Sequence, residues 1–86
     1  MIPAADRFGP WRDGLSDAER LARLRCMRTV SHLILGPRGE AFAGALRQAE
    51  SDPDHLPIAL RALDALAPIE RRQVLCSFAR IHQSAA

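Results

Sequence analysis

Apolar positions recur with helical spacing in four stretches of this chain, and no segment of useful length alternates with period two. The first runs from Ser16 to about Leu35. On a 100° wheel Leu24, Cys26, Met27, Val30, Leu33 and Ile34 cover one broad side of it, and Arg25, Arg28, Thr29 and His32 fall opposite. Arg23 lies inside the apolar arc and must snorkel or meet an acid. The second stretch, Gly39 to Glu50, sets Ala41, Phe42, Ala45, Leu46 and Ala49 on one stripe, with Gly44 towards the outside. The third carries Leu56, Leu60, Leu63, Leu66 and Ala67 on one face, with Arg61 and Asp64 outside. The fourth turns Val74, Leu75, Phe78 and Ile81 to one side and Arg72, Gln73, Arg80 and Gln83 to the other.

The breaks between these stretches have their own signals. Ser16-Asp17-Ala18-Glu19 has the form of a capping box, in which the hydroxyl and the Glu19 carboxylate satisfy orphan amides at a helix start. Gly36-Pro37 ends the first helix. In Ser51-Asp52-Pro53-Asp54, Asp52 caps a new turn with Pro53 at its first position, and Pro57 restarts the helix a few residues on. Pro68 suits the first position of the last helix. The expected fold is all-α, four short-to-medium helices in a compact bundle or an irregular orthogonal array. Residues 1–14 form an irregular N-terminal arm holding Phe8 and Trp11, 15–83 the helical domain, and 84–86 a frayed end.

Size and composition narrow what this scaffold can do. A chain of 86 residues makes one domain. Its apolar fraction is 48 %, but much of that is alanine and only 5 % is aromatic, so large core residues are scarce. Such a core leaves little room for a substrate cavity, and self-association or a partner would relieve the shortage. No stretch approaches the length of a membrane span. The opening residues lack the basic and apolar regions of a secretion signal, and two cysteines do not make a disulfide framework, so the cytoplasm is expected. The formal charge of +2 is too small to drive polyelectrolyte binding over the whole surface. Every basic residue is arginine, a bias expected of a GC-rich bacterial genome.

Candidate chemistry is sparse. Cys26 and His32 are six residues apart, as are Cys76 and His82, which raises a metal site. Six residues turn a helix by about 240°, so neither thiol shares a face with its histidine, and zinc ligands usually converge from closer spacings. Ser77 and Cys76 have no glycine-bounded elbow or facing histidine in sequence. Asp17, Glu19, Asp52 and Asp54 are accounted for by capping and turns. Gly36-Pro37-Arg38-Gly39 lacks a phosphate-loop pattern and no strand precedes it, which leaves a helix-breaking turn. No catalytic residue, cofactor or metal is expected.

Ala65-Leu66-Ala67-Pro68-Ile69-Glu70-Arg71-Arg72-Gln73-Val74-Leu75 resembles the opening of a bacterial sigma-factor region-four helix-turn-helix domain. The likeness covers about a dozen residues and implies DNA binding through a later recognition helix. The residues up to Ala86 do not supply that helix, so the resemblance assigns no family.

The function expected by elimination is that of a small bacterial accessory or regulatory protein, working by protein–protein contacts through helix faces, with a homodimer among the assemblies. Trp11, Met27 and Ile34 are the expected apolar anchors, and Arg25 and Arg28 the steering charges. The alternative is a small nucleic-acid-binding regulator that uses Arg25, Arg28, Arg71 and Arg72.

Overall fold

The structure, a computed structural model, describes residues 9–85, and side chains for residues 9–81. Among these residues there are four α-helices and no strand: α1 Asp17–Leu35, α2 Glu40–Ser51, α3 Leu56–Asp64 and α4 Pro68–Ala85. The protein is all-α, as the periodicity requires. Short 3-10 turns at Gly36–Gly39 and Pro53–His55 join α1 to α2 and α2 to α3.

The capping signals act where they were read. Ser16 Oγ accepts a hydrogen bond from the Glu19 amide at 3.1 Å, opening α1 with Asp17 and Glu19 in its first turn. Gly36 closes α1 at φ 57°, a left-handed conformation that costs a side-chain-bearing residue about 1 kcal/mol. Asp52 Oδ1 accepts from the Asp54 amide at 3.0 Å, and Pro53 follows as the first residue of the second turn.

Gly39 is needed for a different reason. A Cβ there would lie 2.8 Å from both Leu35 Cβ and Ser31 Oγ, so the bare backbone lets the chain turn tightly against the end of α1. Gly36 answers a dihedral requirement and Gly39 a spatial one.

The helices pack as α1 on α2, α2 on α3 and α1 on α4. α1 is thus central, with a partner on either flank. The core is built from Leu24, Met27, Val30 and Leu35 of α1, Phe42, Leu46 and Ala49 of α2, Ala59 and Leu63 of α3, and Val74 and Phe78 of α4. The resulting body measures 30 × 27 × 25 Å.

Residues 9–14 close one end of this core. Gly9 and Pro10 are buried, and the half-buried Trp11 packs on the core while its Nε1 donates to the Leu56 carbonyl at 2.7 Å. Arg20 of α1 clamps the same segment, donating to the carbonyls of Pro10 at 3.2 Å and Arg12 at 3.3 Å. Phe8 lies outside the described residues.

Candidate functional site

The wide apolar arc of α1 divides into parts with different fates. Leu24, Met27 and Val30 are buried, and Cys26 and Ile34 are half-buried against the core. Leu33, which the wheel places in the same arc, is 80 % exposed. α2 and α4 between them cover the arc on its inner side, and Leu33 lies beyond their reach. Arg23, the misfit of the arc, is buried.

The expected anchors therefore need correction. Met27 is fully buried, so it holds α1 to its own neighbours and offers nothing to a partner. Trp11 spends its indole N–H on Leu56 and its ring on the core, and Ile34 is likewise engaged within the fold. The exposed face of α1 is instead Arg25, Thr29, His32 and Leu33. Leu33 follows Thr29 by one turn, so the aliphatic side chain borders a polar strip.

Arg25 and Arg28 share one acid that the sequence did not single out. Glu50, in the last turn of α2, lies 3.4 Å from Arg25 Nε and 3.3 Å from an Arg28 terminal nitrogen. Its side chain is only 14 % exposed, whereas that of Arg25 is 63 % and that of Arg28 31 %. Glu50 is held in the α1–α2 seam, where its Oε1 accepts from Arg25 Nε while its buried Oε2, beside Arg28, takes no hydrogen bond.

Beside this triad runs a groove of about 320 Å³. Arg28, Thr29 and His32 of α1 line one wall, Glu40 and Arg47 of α2 the other, with the small residues Ala43 and Gly44 between. Nothing lies within 4 Å of where a Gly44 Cβ would sit, so the groove is open over that residue. Thr29 Oγ1 donates to the Arg25 carbonyl at 3.1 Å, which settles its hydroxyl proton on the helix. Across the groove and triad, three guanidiniums stand against two carboxylates and leave one net positive charge.

At the far end of α1 the fold makes a corner. Arg38, in the turn after α1, pairs with Glu70 in the first turn of α4 at 2.9 Å, so α4 starts where α1 finishes. Ile69, next to Glu70, is 66 % exposed and lines a shallow hollow with Arg38 and Ala67. Ile58 and Ile81 are about half exposed, at 46 % and 48 %. Of the arginines in the nucleic-acid alternative, Arg71 pairs with Asp64 at 3.4 Å and Arg72 is exposed on α4.

The cysteines stay apart in role and place. Cys26 is half-buried on α1, and burial pushes its thiol above the ordinary value; Cys76 is exposed on α4. Among the described residues no three His, Cys, Asp or Glu side chains gather as a metal-binding group, and the His82 side chain lies outside them.

Leu33, Ile69 and Glu50 were hidden from the sequence for a common reason. Helical periodicity gives an angle, and which flank a neighbouring helix covers is a tertiary fact. Arg47 is exposed on α2, and only the α1–α2 pairing sets it opposite Arg28. No family model, curated protein or solved structure matches this chain.

Proposed function

We propose that the protein is a small bacterial accessory or regulatory module of the cytoplasm that binds another protein through the outward face of α1. The observation that carries this is Leu33, an aliphatic side chain 80 % exposed on the central helix of a domain whose other α1 leucine, isoleucine and valine side chains are buried or half-buried. Leaving it in water forgoes on the order of 2 kcal/mol of burial free energy. A partner surface that covers it regains that energy. Arg25, Arg28 and His32 beside it give register and steering. No helix among the described residues is long and apolar enough to cross a membrane.

The nucleic-acid alternative has less to draw on. Arg25, Arg28 and Arg71 each face a carboxylate, so only Arg72 of its four arginines lacks an acid beside it among the described residues. A phosphate backbone would have to displace Glu50 and Asp64.

Co-purification from the native host at mild salt, followed by light scattering, tests the proposal. A stoichiometric protein, or a second copy of the chain, is expected on the wild type and is lost with Leu33→Ser. Retained nucleic acid with a steep salt dependence would favour the alternative instead.

A further inference from the structure

We infer that the α1–α2 groove is a carboxylate-binding site, and that its ligand is an acidic peptide segment of the protein partner proposed above, a reading on which this inference rests. Arg28 and Arg47 come from opposite walls. Glu50 lies 3.3 Å from an Arg28 terminal nitrogen but is divided between two arginines, so it does not cancel the local charge. Arg47 has no acid beside it among the described residues and is exposed.

The space between the walls suits a peptide. Gly44 presents bare backbone with nothing within 4 Å of its missing Cβ, and Ala43 adds only a methyl group. His32 supplies a ring nitrogen one turn beyond Arg28 on the same wall.

Charge decides between carboxylate and phosphate. The groove and triad keep one net positive charge, which one carboxylate neutralises. Glu40, in the first turn of α2, stands on the groove's wall and repels a second negative charge on the same group. A phosphate dianion is disfavoured by that acid. Thr29, one turn before Leu33, lines the groove, so a bound segment that leaves it along α1 reaches an aliphatic contact next.

The test is an amide NMR titration of the full chain at about physiological salt, where surface charges are screened beyond roughly 8 Å. The probes are N-acetylated, C-amidated tetraglutamate, N-acetylated, C-amidated tetraglutamine, and inorganic phosphate. Tetraglutamate is expected to give saturable shifts at His32, Ala43 and Gly44, and the other two none. Arg47→Gln is expected to weaken binding at least about tenfold, the scale of one charge-assisted hydrogen bond. Gly44→Leu fills the groove and abolishes binding, while the open space at that position and the better helix propensity of leucine keep the chain folded.

An equal response to tetraglutamine, a stronger response to phosphate, indifference to Arg47→Gln, or no response overturns the site. If the titration fails while a protein still co-purifies through Leu33, the groove is wrong and the protein-binding proposal stands. If tetraglutamate binds but nothing co-purifies, the assignment of the ligand to a protein partner is overturned.

Discussion

The indole Nε1 of Trp11 donates to the backbone carbonyl of Leu56 across 45 positions of sequence, at 2.7 Å. This bond staples the residues before α1 to the first turn of α3. Replacing Trp11 with Phe keeps most of the packing and removes the bond, and is expected to cost about 1 kcal/mol in urea unfolding. Trp11→Ala removes the ring as well and is expected to cost about 3 kcal/mol. Equal losses for the two variants would show that the bond carries the whole effect.

Gly39 and Ser31 form a second, tighter contact. A Cβ at Gly39 would sit 2.8 Å from Ser31 Oγ, and that hydroxyl is buried without a hydrogen-bond partner. Gly39→Ala is expected to cost about 2 kcal/mol, because Leu35 Cβ crowds the same position and cannot swing away. Ser31→Ala is expected to raise stability by about 1 kcal/mol, since it deletes an unsatisfied buried group. Combined, the two are expected to lose less than the sum of the single effects, since removing Ser31 Oγ relieves one of the contacts a Gly39 Cβ would meet. Strict additivity in thermal or urea melts would place the strain elsewhere.

The two arginines on Glu50 are expected to differ in weight. Arg25 is 63 % exposed and Arg28 31 %, so solvent screens the first pair more. Arg25→Ala should shift stability by less than about 0.5 kcal/mol and Arg28→Ala by about 1 kcal/mol. Glu50→Gln leaves both guanidiniums unopposed and should make the protein retain anionic resins to higher salt. An unchanged elution would argue against Glu50 as the acid that offsets them.

Burial raises the Cys26 thiol above its ordinary value, so the folded state holds this proton more firmly than the unfolded chain does. The linked stability is therefore intact below the ordinary thiol range and declines as pH rises through that range towards the folded value. Cys26→Ala should flatten this alkaline decline. At mildly alkaline pH iodoacetamide should modify exposed Cys76 well before Cys26, which peptide mass mapping reads directly. Faster modification of Cys26 would contradict its placement.

Element boundaries were readable because this chain marks them with residues whose backbone or side-chain chemistry is local. Ser16, Gly36, Asp52, Pro53 and Pro68 each act within a few positions of themselves. The core was readable where side chains were large, as with Phe42, Leu46, Val74 and Phe78. It was not readable at Ala59, fully buried, or at Gly39 and Ser31, because small residues carry little hydropathic signal.

The candidate surface was legible only in part. The wheel separated Arg25, Thr29 and His32 from the inner face correctly, and they are exposed. It grouped Leu33 with Met27, and the two ended on opposite sides of the protein's boundary, at 80 % and 0 % exposure. Six residues of helix set the two about 120° apart, so Leu33 stands at the edge of the arc, and the lie of α4 along α1 decides that this edge stays open. The pairing of Glu50 with both arginines has the same origin.

The packing of α4 on α1 sets an order on synthesis at the ribosome. α1 and α2 are neighbours in sequence and can close their seam early, while Val74 and Phe78 are translated last of the core residues. Until they emerge, the flank of α1 that α4 covers meets solvent or a chaperone. The nascent chain therefore passes through a stage in which the central helix is sticky on two faces, of which the finished protein keeps only the edge at Leu33.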